Sequence, residues 1–155
     1  MKNEFSLGLL ALLLLLGCKK EVDPLEELKI PAPENPFSEV CYQGVQEKDT
    51  ISMTLISKGN QLQYGKLSYN YYEKDKNEGT LVGAFHGDTL VGKYSFHSEG
   101  ILSVREVIFL KQGNSYIEGF GPVVDDHKGT LTFKDRKAIA FNAALPLVEV
   151  PCKEQ

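Results

Sequence analysis

With 155 residues, 42% of them hydrophobic and 25% charged, the chain has room for one core of ordinary size but not two, and is too apolar to stay wholly disordered. Its 21 acidic and 17 basic residues give a formal charge of −4, and with no Lys/Arg cluster there is no electrostatic footprint for nucleic acid. Eight phenylalanines, seven tyrosines and 14 glycines, together with many β-branched residues, favour strands and tight turns over helices.

Lys2 supplies a positive start, and Phe5 to Leu16 is almost wholly apolar. The stretch is too short to cross a bilayer, which predicts a removable signal peptide over 1–17 rather than a membrane span. Leu15-Leu16-Gly17-Cys18 resembles the lipobox of bacterial lipoproteins, where a small residue opens the scissile bond to the peptidase and the cysteine thiol accepts a diacylglyceryl group. The resemblance implies lipidation at Cys18, further acylation of the new α-amino group by a chain such as palmitate, and a stable anchor, since several acyl chains hold where one does not. An ordinary secretory leader with an incidental cysteine is the plainer alternative.

Lys19-Lys20-Glu21-Val22-Asp23 is similar to the surface-export signal of Bacteroidota lipoproteins, and equally reads as a polar linker. Pro24, Pro31, Pro33 and Pro36 then keep the backbone extended and out of regular ladders. The expected organisation is therefore a cleaved leader (1–17), a lipidated and Pro-rich tether (18–36) and a single all-β domain (37–155). This layout resembles small envelope lipoproteins of Bacteroidota, and it implies the cell envelope as location, the outer membrane as partner through the lipid, and either its periplasmic or its surface face.

If lipid consumes Cys18, then Cys41 and Cys152 form an even pair in an oxidising compartment, and a disulfide that staples the two ends of the domain is expected. A thiol or metal pair is disfavoured, because neither cysteine has Cys-x-x-Cys spacing or a nearby histidine. Envelope lipoproteins that sense copper or surface stress carry such a motif after the first strand; Cys41-Tyr42-Gln43-Gly44 does not match it.

Between these cysteines, strands are predicted near Val40 to Val45, Thr50 to Ser57, Leu62 to Tyr72, Thr80 to Phe85, Leu90 to His97, Leu102 to Lys111, Tyr116 to Phe120 and Thr130 to Lys134, with a last one from Ala138 to Leu145. Turn signals such as Lys58-Gly59-Asn60, Gly87-Asp88, Glu99-Gly100 and Gln112-Gly113-Asn114 separate them, as successive antiparallel hairpins require. Alternation sets Leu90, Gly92, Tyr94 and Phe96 on one face and Ile51, Met53 and Leu55 on another buried one. An open sheet of that many strands would leave two long edges, which closure removes. The predicted fold is thus a small antiparallel up-and-down β-barrel of about eight strands, resembling calycins in strand count, with a two-sheet β-sandwich as the alternative.

Polar residues inside strands are the candidates for a site. Arg105 and Glu106 are adjacent, so they point to opposite faces and one charge must meet the interior. Glu118 raises the same question between Tyr116 and Phe120, and Glu99 sits at a turn. A buried Arg105 paired with Glu118 or Glu99 is either a structural ion pair or an anchor for a polar ligand.

Asp75-Lys76-Asn77-Glu78-Gly79 starts like a calcium loop, but its glycine comes early and the later acidic ligand is missing. His86, Asp88, His97, Asp125, Asp126 and His127 lack the i, i+4 spacing of a helical zinc site, and no nucleophile elbow or phosphate loop is found. No metal, no cofactor and no catalytic activity are therefore expected. The leading expectation is a lipid-anchored module that binds a small molecule or a protein, through a pocket in the barrel or an aromatic patch at Tyr69, Tyr71 and Tyr72. The alternatives are an envelope enzyme that brings two of Glu99, Glu106 and Glu118 together in one cleft, and a purely structural envelope protein.

Overall fold

A computed structural model describes residues 36–98 and 100–153; the leader, Cys18 and Glu99 lie outside them. Seven strands follow one another as antiparallel neighbours: β1 (Ser38–Gln46), β2 (Asp49–Lys58), β3 (Gln61–Asn70), β4 (Asn77–His86), β5 (Thr89–Ser98), β6 (Ile101–Gln112) and β7 (Ser115–Phe120). After β7 come three short strands, β8 (Val123–Asp125), β9 (Thr130–Phe133) and β10 (Ala140–Phe141), and then β11 (Leu147–Val150). The last strand pairs with β7 on one side and with β1 on the other, so β1 to β7 and β11 close into an eight-stranded antiparallel barrel.

Short turns hold the meander. In Gly59-Asn60 and Gly113-Asn114, glycine takes a positive φ (57° and 61°) that a side chain would resist. Alternation then fills the interior. Tyr42, Met53, Leu67, Leu81, Leu90, Tyr94, Val107, Phe109, Tyr116 and Leu147 form one buried cluster drawn from all eight barrel strands, so the middle of the barrel is packed solid. The expected disulfide joins Cys41 of β1 to Cys152, just beyond β11, with Cα atoms 5.2 Å apart. It staples the closing pair of strands, where Cys41 lies opposite Val150.

Two expectations need correction. The eighth barrel strand is Leu147–Val150, not Thr130 to Lys134, and the predicted strand from Ala138 to Leu145 shrinks to the two residues of β10. Pro146, just ahead of β11, cannot donate to a ladder, and this masked the closing strand in the sequence. The eight barrel strands are up-and-down as expected, and the extra strand β9 runs parallel to β6, with Val104 opposite Thr130 and Arg105 opposite Leu131.

That parallel pairing marks a seam. Strands β6 and β7 are paired from Gln112↔Ser115 only as far as Phe109↔Glu118. Beyond this point β6 turns to β9, while Gly119 and Phe120 of β7 pair with β10. The lack of a side chain at Gly119 permits it, since a Cβ there would sit 2.5 Å from Ile139 Cγ2 and 2.9 Å from Phe141 Cε1. The excursion from β8 to β10 thus extends the two parted edges, β9 alongside β6 and β10 alongside β7.

Candidate functional site

At the seam, the adjacent charges of β6 part company as their spacing requires. Val107 and Phe109 belong to the interior cluster, and Arg105 shares their face; Glu106 lies on the other. Glu118 shares the inward face of β7 with Tyr116. Arg105 Nη2 stands 3.6 Å from Glu118 Oε1, a salt bridge too long for a good hydrogen bond. The Tyr69 hydroxyl donates to the same Oε1 at 2.7 Å. The guanidinium also rides 4.9 Å from the centre of the Tyr69 ring and 5.7 Å from that of Tyr94, within range of cation–π attraction. Tyr94 in turn stacks on Phe96 with ring centres 4.7 Å apart.

This inner cluster is incompletely satisfied. Among the described residues, Arg105 Nε, Glu118 Oε2 and the Tyr94 hydroxyl are buried without a hydrogen-bond partner, each a state that ordinarily costs about 1–3 kcal/mol. Glu118 is 7% exposed and Tyr94 is fully enclosed. Burial raises the Glu118 carboxyl above its ordinary range, and the Tyr69 hydrogen bond and Arg105 charge only partly oppose it. Burial likewise pushes the Tyr94 phenol up to about 12, with Arg105 working the other way. Tyr69 is raised well above 10, first by burial and then by the Glu118 charge.

The outer charge is arranged differently. Glu106 Oε2 accepts the backbone N–H of Phe133 at 2.9 Å, and Oε1 is held by the guanidinium of Arg136. Both carboxylate oxygens are engaged, and both partners come from the excursion, so Glu106 fastens β9 and the turn at Arg136–Ala138 to the barrel.

A cavity of about 170 Å³ opens through the seam between these two carboxylates. Its polar wall is Arg105, Glu106 and Glu118, and its apolar wall is Phe120, Val123, Leu131 and Phe133. Larger hollows exist: about 330 Å³ at the opposite mouth of the barrel, where Val40, Tyr42, Leu55, Phe85 and Tyr116 meet, and about 320 Å³ on the outer face of β2, β3 and β4. Neither contains a buried polar atom without a partner, among the described residues. Unmet hydrogen-bonding capacity, rather than size, therefore singles out the seam.

Of the residues picked from the sequence, Arg105 and Glu118 come together, Glu106 projects from the other face of β6 but lines the same cavity as Glu118, and Glu99 lies outside the described residues. The expected aromatic patch needs correction: Tyr69 is 2% exposed and faces the core, because it alternates with Leu67 on β3, while Tyr72 stands on the surface beneath Lys48. The partners that sequence reasoning missed are Tyr69 for Glu118 and Arg136 for Glu106, pairs 49 and 30 residues apart. For Tyr69 the inward alternation was a usable signal; for Arg136 there was none. Compared with protein-family models, curated proteins and solved structures, the chain gives no match.

Proposed function

We propose that this chain is a lipid-anchored protein of the bacterial envelope whose barrel serves as a binding module, with its ligand seated at the seam between β6 and β7. One observation carries the binding part: in the loose Arg105–Glu118 ion pair, whose two residues line the cavity, Arg105 Nε and Glu118 Oε2 are both buried without a partner. A side-chain cluster kept only for stability has every reason to satisfy its members, as Glu106 does. The anchor rests on the lipobox resemblance at Cys18 and on the positive, apolar leader before it. An envelope enzyme is the second reading: Glu106 and Glu118 line one cavity, each paired with a different arginine.

The test is to express the full chain in a Gram-negative host and record the intact mass of membrane-extracted protein, then its native mass. Lipid mass on a chain that begins at Cys18, and a co-purifying small molecule lost in an Arg105→Met variant, are the expected results. A chain without lipid overturns the anchor. A bound molecule that survives the variant overturns the seam as the binding site.

A further inference from the structure

The chain between β7 and β11 shares little of the barrel's stability. The buried interior cluster takes no residue between Tyr116 and Leu147, and from Gly121 to Pro146 only Thr130 is buried. Its ladders to the barrel are two residue pairs each: Val104↔Thr130 and Arg105↔Leu131 on β6, Ala140↔Phe120 and Phe141↔Gly119 on β7. A segment with so few buried side chains and so short a hydrogen-bonded border opens at lower cost than the core strands beside it.

Opening need not unravel it. Strands β8 and β9 form their own antiparallel hairpin, from Val123↔Phe133 to Asp125↔Leu131. Its bend is tied locally, since the Asp126 carboxylate accepts the N–H groups of Lys128 and Thr130, and that of Asp125 accepts the N–H of His127. Apart from the two ladders, what fastens this hairpin to the barrel is Glu106, which accepts the Phe133 N–H at 2.9 Å and pairs with Arg136. The partners in that pair are unlike: Glu106 is 8% exposed, whereas 61% of the Arg136 side chain is in solvent. Arg136 therefore trades its partner for water at little cost, while the carboxylate stays on the wall.

The same hairpin closes the cavity at the seam. Its Val123, Leu131 and Phe133 stand across about 170 Å³ from Arg105, Glu106 and Glu118 of the barrel. If it swings away, most of the apolar wall leaves with it and the Arg105–Glu118 pair is uncovered.

We infer that the excursion Val123–Phe141 is a strap that opens and closes over the seam while the barrel stays folded, latched by the Glu106–Arg136 ion pair, and that its opening admits a ligand to Arg105 and Glu118. Its purpose rests on the binding reading above; its opening does not, and water alone suffices to probe it.

The experiment is native-state hydrogen exchange of the full chain, followed by NMR in D₂O at a series of low denaturant concentrations. Two protons report: the Phe133 amide, on the border between strap and barrel, and Arg105 Nε–H, buried without a partner in a residue that lines the cavity. Both are expected to exchange faster than the amides of Met53 and Leu67, with a weaker dependence on denaturant, the mark of a partial opening. Arg136→Met is expected to speed both by roughly threefold, the modest worth of a partly exposed ion pair, and to leave Met53 and Leu67 unchanged. If Phe133 and Arg105 exchange only as Met53 and Leu67 do, nothing opens separately and the strap is overturned. If Arg136→Met speeds Phe133 and not Arg105, the segment opens without uncovering the seam, and the gate is overturned. The wild-type denaturant series decides the matter even where the variant fails to fold. A strap that opens as expected, in a protein whose co-purified molecule survives Arg105→Met, overturns the binding reading alone.

Discussion

Two ion pairs stand back to back across the wall of this barrel, one residue apart on β6, and they are built to opposite standards. Outside, Glu106 has both oxygens occupied, by the Phe133 N–H and the Arg136 guanidinium. Inside, Glu118 has one oxygen engaged by Tyr69 and the other without a partner, and Arg105 holds it at 3.6 Å. Burial is nearly equal, at 8% and 7% exposure, so desolvation alone does not explain the contrast. What differs is satisfaction: the saturated carboxylate fastens one piece of chain to another, whereas the unsaturated one keeps an acceptor that the proposed ligand would meet.

The contrast can be broken at several levels. The largest effect should come from a change that ignores it. Replacing Cys41 and Cys152 together by serine releases a bridge of sequence separation 111, for which loop entropy gives about 4–5 kcal/mol. Chemical denaturation should show that loss, with both ion pairs intact in the folded fraction. Next, Glu106→Ala leaves the Phe133 N–H without its acceptor and frees Arg136; it should cost about 2 kcal/mol. Hydrogen exchange should speed up over the excursion, Val123 to Phe141, and not over β2 to β5. Exchange that rises uniformly instead would show that Glu106 supports the barrel rather than fastening the excursion.

Smaller still, Tyr69→Phe removes one hydrogen bond from the inner carboxylate and should cost about 1–2 kcal/mol. It should also raise the Glu118 carboxyl further, because the Tyr69 bond is among the contacts that hold it down. The smallest effect is in pH. A carboxyl raised in the folded state holds its proton more tightly than in the unfolded chain. Glu118 therefore adds stability as pH falls through its raised value towards 4.5. Asp126, lowered by backbone N–H groups of Thr130 and Lys128, adds stability above 3.8 and loses it as pH falls through its depressed value. Carbon-detected titration of the two carboxyls should place Glu118 above its ordinary value and Asp126 below; the reverse order would contradict the burial described for Glu118.

The sequence disclosed the barrel more readily than the seam, for a physical reason. Hairpins are local: Gly59-Asn60 and Gly113-Asn114 announce their turns within two residues, and the alternation through Leu90, Gly92, Tyr94 and Phe96 declares an inward face without reference to anything distant. Even closure left a trace, since Cys41 and Cys152 are far apart in the chain and next to each other in the fold. The seam left almost none. Adjacent Arg105 and Glu106 had to face opposite ways, but parity could not tell that Glu106 would also be buried, beside β9 and against Phe133 and Arg136. That depends on a parallel pairing between short segments with no turn to announce it.

The Cys41–Cys152 bridge also has a mechanical side. The chain enters the barrel at Ser38, and tension applied there would unzip β1 from β2 and β11 one residue at a time. Only Ser38, Glu39 and Val40 precede the bridge, so after three residues the load passes to a covalent bond. From there the pull falls on the far end of β11, drawing two strands at once instead of peeling a single one. A barrel leashed by its N-terminal segment would thus resist being dragged open by its own leash for as long as that sulfur–sulfur bond is whole, and in a reducing medium it would come apart at β1 first.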